Sequence, residues 1–263
     1  MGTADSFGGS GGAWNSAGDD LDTWLGSLPD APASDANDSD QSPDSSAGLA
    51  SVMRGVARGL RGGSGGVGGG GLASSSGGGG RRLSTGGTSG SGRSGKVAGS
   101  VGGRAAAGVT AYRAGDTVEL LALGLDPAEL DALPSDYARA ARIAEAASEG
   151  TPTSIQDEEL RRAAAATAIW GLEQITPPSA EELVRQFLEE YLYRVVAVEF
   201  GVRLRDGSAD GTASLPTEQT LRATIRGMTQ NLPTAASGTG HVDLGRTIET
   251  TYERILEIWS GES

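Results

Sequence analysis

The chain has 263 residues, with 34 acidic and 21 basic side chains for a formal net charge of −13, one histidine and no cysteine. Without cysteine there is no disulfide framework, thiol nucleophile or zinc–thiolate site, and a lone histidine rules out a histidine dyad or a multi-histidine metal centre. The charge is sorted into blocks: residues 1–50 hold nine aspartates and no base, residues 51–113 hold nine bases, no acid and 23 of the 43 glycines, and residues 114–263 hold 25 acids, 12 bases and 12 glycines.

The first two blocks read as an arm, because glycine, serine and aspartate bury too little apolar area to offset the entropy of ordering the chain. The third is long enough for one hydrophobic core. Lys96 is the only lysine against 20 arginines, a bias typical of GC-rich bacterial genomes. No run approaches the roughly 20 apolar residues of a membrane span, and the N-terminus lacks a signal-peptide pattern. A cytoplasmic location is expected, without membrane contact.

Residues 1–48 are expected to form a disordered acidic arm. Met1 precedes Gly2 and is normally trimmed, leaving Gly2 as a free amino terminus followed by Thr3. The spacing through Ser6 also meets the myristoylation template, a modification that fits a bacterial chain poorly. Phe7, Trp14, Trp24 and Leu25 are scattered among glycines, and residues 30–46 form an acidic, proline-bearing spacer.

Leu49, Val52, Met53, Val56 and Leu60 fall on one helical stripe, with Arg54, Arg58 and Arg61 opposite. Gly55 and Gly59 each cost a helix about 1 kcal/mol relative to alanine. Residues 49–61 therefore read either as a short amphipathic helix that orders on a partner or as plain disorder. Residues 62–95 read as a flexible Gly/Ser linker carrying Arg81 and Arg82.

From Gly95 small residues recur every four positions, at Gly99, Gly103, Ala107 and Ala111. Either they form a helical face suited to close approach by another helix or subunit, or glycine density alone generates the spacing. Gly90 to Val97 matches phosphate-loop patterns, but Val97 stands where a magnesium-binding hydroxyl belongs and no buried strand precedes it, so a nucleotide site is rejected.

Residues 96–263 are expected to fold as a helical domain. Asp126-Pro127-Ala128-Glu129 supplies an N-cap, a first-turn proline and a capping-box acid; Ser135, Ser154 and Ser179 open further segments, the last with Glu182. Leu183, Phe187, Tyr191, Val195 and Val198 form the strongest ladder. Pro216 precedes Leu221, Ile225 and Met228, and Asp243 precedes Leu244, Ile248, Tyr252, Ile255 and Trp259. No stretch alternates with a period of two. The fold class is all-α, a bundle of about five or six helices preceded by a long disordered Gly/Ser/Asp/Arg-rich N-terminal arm.

His241 sits beside Gly238 and Gly240 in a loop before the last helix, and Glu189, Glu190 and Glu199 read as the solvated face of the strongest helix. No catalytic, metal or cofactor site is indicated, and an enzyme is not expected. The arginine–glycine pattern at Arg54, Arg58, Arg61, Arg81 and Arg82 is the best chemical candidate, suited to salt-sensitive contact with nucleic acid. Tyr112 is the only aromatic of that block, so base stacking is thin. Alternatively the basic block lies against the acidic segments of the same chain.

Met1-Gly2-Thr3 with Phe7-Gly8-Gly9, the Gly/Ser/Arg tether, Gly102-Gly103-Arg104-Ala105-Ala106-Ala107-Gly108, and Glu199-Phe200-Gly201-Val202-Arg203-Leu204 followed by Leu215-Pro216 together resemble one family. That family is the B component of the Qat anti-phage defence system. The resemblance covers the whole chain in layout, through short motifs. It implies a bacterial defence module whose other members are an ATPase, a QueC-like enzyme and a TatD-like metal-dependent nuclease, with no enzymatic activity assigned to the B component. QueC-like enzymes activate a carboxylate with ATP and pass it to an amine. A free Gly2 amine, presented by Thr3, is then a sensible acceptor for a deazaguanine-type group.

Overall fold

The computed structural model describes residues 12–27, 43–62, 90–151, 155–206, 214–232 and 238–261, together with Thr234 and Ala236. Among them every regular element is a helix: α1 Gly12–Ser27, α2 Pro43–Gly62, α3 Gly90–Ala114, α4 Thr117–Ala122, α5 Pro127–Ala132, α6 Asp136–Ala147, α7 Ile155–Glu173, α8 Ala180–Asp206, α9 Ser214–Gln230 and α10 His241–Ser260. The all-α expectation therefore holds for the described residues.

α3 is the central helix. It runs antiparallel to α10 and also meets α6, α7 and α8. Its stripe of small residues lets the two backbones touch: a Cβ on Gly99 would lie 2.5 Å from the Gly245 carbonyl oxygen, and one on Gly103 would lie 2.5 Å from both Gly245 Cα and its nitrogen. The four-residue spacing is thus a helix–helix contact within the chain. On the adjoining face of α3, Gly102 accommodates the Phe187 ring of α8. Phe187 stacks on Tyr191 with ring centroids 6.2 Å apart, and Tyr191 meets Tyr252 of α10 at 5.9 Å. Burial pushes the Tyr252 hydroxyl pKa well above its ordinary value, with Tyr191 adding to the effect.

Four expectations need correction. Residues 12–27 lie inside the stretch expected to be a disordered acidic arm, yet they form α1. Ala17, Leu21 and Trp24 are buried at helical spacing and α1 packs chiefly on α2, where Gly48 and Gly55 leave room for Trp24 and Ala17. Next, α2 is longer than 49–61, and its apolar face is already covered. Val52, Met53, Val56, Ala57 and Leu60 join the protein's own core, and α2 also contacts α3 and α10. Burial at roughly 25 cal/mol per Å² offsets the helix-weakening glycines.

Third, α3 begins at Gly90, inside the stretch 62–95 read as linker, so the phosphate-loop-like run is helical. Residues 63–89 lie outside the described residues. Finally, among the described residues eight helices, α3 to α10, stand where a bundle of about five or six was expected. The excess comes from α3, whose contact face is glycine and alanine, and from the short α4, which ends just before Gly124 turns the chain at φ 77°.

The local start signals largely hold. Asp126 accepts from the Ala128 N–H (2.8 Å) and Ser135 from the Ala138 N–H (3.2 Å). Ser179 and Glu182 form a reciprocal box, the Glu182 N–H donating to Ser179 Oγ (3.2 Å) and the Ser179 N–H to Glu182 Oε2 (2.7 Å). Ser154 lies outside the described residues. α10 starts at His241 with Gly240 as N-cap, so Asp243 occupies the first turn rather than the cap.

Candidate functional site

Of the residues singled out from sequence, Gly2, Thr3, Arg81 and Arg82 lie outside the described residues. Arg54, Arg58 and Arg61 share the outer side of α2 but have different roles. Arg54 and Arg58 are exposed and make no ion pair among the described residues. Arg61 is half-buried, and its Nη1 donates to Ser260 Oγ at 3.0 Å, joining the end of α2 to the end of α10. Arg61 is therefore a structural contact as well as a positive charge.

Arg54 also lines a groove that sequence reading did not foresee. Helix α9 packs mainly on α8, through buried Leu221 and Ile225. Away from α8, Met228 and Leu232 look toward Ala50, Met53 and Arg54 of α2 and Ile255, Ile258 and Trp259 of α10, around a cavity of about 450 Å³. Met228, Ile255 and Trp259 were legible as apolar helix positions, but only the tertiary fold brings them to one wall.

The α8–α9 contact is a charged clamp. Arg222 bonds Glu190 (3.1 Å) and Glu218 (3.3 Å), Arg226 meets Glu189 (3.3 Å), and Arg194 meets Glu190 (3.4 Å). Glu189 and Glu190 are only 15% and 13% exposed, which corrects their reading as a solvated face. The reason is that α9 covers them; the Glu199 side chain lies outside the described residues. Arg222 sits 3.7 Å from the Tyr193 ring centroid, and the Tyr193 hydroxyl donates to Glu218 at 2.7 Å. That hydrogen bond outweighs burial and, with Arg222, holds the Glu218 carboxyl below its ordinary range. Burial, then the bond to Glu218, raises the Tyr193 pKa. Each charge here has a partner, so the cluster reads as a helix clamp.

His241 is not in a loop. It is the first residue of α10, where Glu119 of α4 accepts from its backbone N–H (2.8 Å) and contacts ring Nδ1 (2.8 Å). The cap that Gly240 cannot supply thus comes from a carboxylate distant in sequence. Burial works to raise the Glu119 pKa, but the His241 backbone bond, ring bond and charge outweigh it and leave the carboxyl below its ordinary range. A cleft of about 420 Å³ alongside is lined by Ser100, Arg104, His241, Arg246 and Glu249 among others. Arg104 is committed to the Leu123 (3.3 Å) and Ala146 (2.8 Å) carbonyls.

Among the described residues no group of three or more His, Asp or Glu side chains is placed to hold a metal, and no helix is long and apolar enough to cross a membrane. The groove beside Arg54 is the strongest candidate for recognition. No family model, curated protein or solved structure matches the chain.

Proposed function

We propose that this chain is a non-enzymatic component of a bacterial anti-phage defence system. It acts there as an adaptor or effector subunit in the cytoplasm, beside an ATPase, a QueC-like enzyme and a TatD-like nuclease. Its helical body docks partners, and its N-terminal Gly2, followed by Thr3, is the acceptor for modification by the QueC-like enzyme. No cofactor is assigned to it.

The observation that carries this reading is the anchorage of α1 and α2 on the helical body, through Ala17, Leu21 and Trp24 and the α2–α10 contact. Gly2 then stands about ten residues ahead of an anchored helix, a tether of at most roughly 35 Å when fully extended. A partner seated on the body finds the Gly2 amine at high local concentration. The test is copurification from cells expressing all four components, with tagged chain recovered alone against tagged chain recovered in a stoichiometric complex. Recovery alone at every salt concentration overturns the adaptor reading.

A second reading, nucleic-acid binding by the basic block, rests on the exposed Arg54 and Arg58. Its test is R54Q/R58Q/R81Q/R82Q, leaving Arg61 intact because Arg61 holds α2 to α10. A steep salt-dependent affinity for an oligonucleotide that this variant loses supports the second reading. An affinity that the variant keeps removes it.

A further inference from the structure

We propose that the groove between α2, α9 and α10 receives an acidic, amphipathic peptide segment of a partner protein, its apolar side chains entering the groove and a carboxylate meeting Arg54. This inference goes beyond the proposed function and does not depend on any chemistry at Gly2.

The walls select for apolar groups. Met53, Met228, Leu232, Ile255 and Trp259 line the groove, and Ile258 at its edge is 43% exposed. Met228, half-buried, gives a wall able to repack around differently shaped side chains, while Met53 forms part of the floor. The main packing of α9 is on α8, and among the described residues no helix lies in the groove between α9 and the α2–α10 pair. A helix laid in such a groove presents apolar residues at i and i+4 inward and polar residues outward.

The rim selects for negative charge. Arg54 lines the groove, is exposed, and has no ion pair among the described residues; Arg58 follows one turn later in the same condition. Asn231 also lines the groove, its amide donating to the Gly227 carbonyl at 3.0 Å. Glu257, beside Ile258 in the α10 sequence, has its carboxylate held by Arg254 at 2.9 Å. In a protein of net charge −13, this rim offers unneutralised cations next to an apolar wall. Nucleic acid is a poor match, because a single arginine lines the groove and its other walls are mainly apolar.

The experiment is fluorescence anisotropy on the full chain with two fluorescein-labelled peptides of about 12 residues. Both carry leucine and phenylalanine at i and i+4; one has glutamates at the flanking positions and the other lysines. The glutamate peptide is expected to bind about tenfold tighter than the lysine peptide, with Arg54→Glu reversing the order. Ile258→Asp, at an exposed position that leaves the fold intact, is expected to abolish binding of both. The proposal is overturned by no binding up to about 1 mM, by equal binding of the two peptides, or by a preference that Arg54→Glu leaves unchanged. Displacement of the glutamate peptide by single-stranded DNA would give the groove to nucleic acid, and self-association abolished by Ile258→Asp would give it to a second copy; either result overturns the proposal.

Discussion

Gly103 of α3 and Gly245 of α10 meet backbone to backbone: a methyl group on Gly103 would stand 2.5 Å from the Gly245 Cα and nitrogen and 2.7 Å from the His241 carbonyl oxygen. No side chain can swing away to relieve that contact, so the α3–α10 separation is set by the absence of two side chains. The axis of the fold therefore depends on two residues that carry no side chain.

Gly103→Ala should destabilise the protein by about 2 kcal/mol, the overpacking cost outweighing the gain in helix propensity. In a thermal melt that corresponds to a fall of roughly 4–8 °C for a domain of this size. Gly227 in α9 is the control, since a Cβ there meets nothing within 4 Å. Gly227→Ala should raise stability by about 0.5–1 kcal/mol through helix propensity alone.

Glu119→Ala should cost about 1 kcal/mol, because it removes the cap on α10 as well as the His241 ring contact. The Glu119 carboxyl lies below its ordinary range in the folded chain, owing to His241. Its contribution is therefore complete above the ordinary glutamate pKa and is lost as pH falls through the lowered folded-state value. Stability curves of the parent and of Glu119→Gln should converge on acidification and separate toward neutral pH. Curves that stay parallel across that window contradict the assigned cap.

Trp24→Ala should release α1 while leaving the rest of the bundle folded. The Trp24 side chain is 1% exposed and packs over Gly48 of α2. Hydrogen exchange is the suitable readout: amides of residues 16–24 should lose protection, while those of α3, α8 and α10 keep it. Loss of protection throughout would mean that α1 belongs to the main cooperative unit.

Arg61→Ala should lower stability by about 0.5–1.5 kcal/mol through the lost bond to Ser260. Arg54→Gln and Arg58→Gln, both at exposed sites, should fall within about 0.5 kcal/mol of the parent in chemical denaturation. Equal effects at all three positions would contradict the division of roles on α2.

The helix starts at Asp126, Ser135 and Ser179 were legible in the sequence because capping is local, an oxygen reaching an N–H two or three residues away. The α2 ladder was equally legible, but not what would cover it: Val52, Met53, Val56 and Leu60 find their partners within the chain. α1 was hidden because Ala17, Leu21 and Trp24 are diluted by glycine, asparagine and aspartate, so the stripe becomes persuasive only with α2 beside it. The Glu119–His241 cap gave no signal, since five helices, α5 to α9, lie between its two halves in chain order and the two share no motif. The groove beside Arg54 was beyond reach for the same reason, its walls coming from three helices at opposite ends of the sequence.

The proposed function has the chain present Gly2 to a QueC-like enzyme. It is tested by intact-mass and N-terminal peptide mass spectrometry on protein coexpressed with the proposed ATPase, QueC-like enzyme and TatD-like nuclease, with and without the QueC-like member. A mass added at Gly2 only when that member is present is the expected result. An unmodified Gly2 in the presence of every partner would contradict the claim and move the weight to nucleic-acid contact through Arg54, Arg58, Arg81 and Arg82.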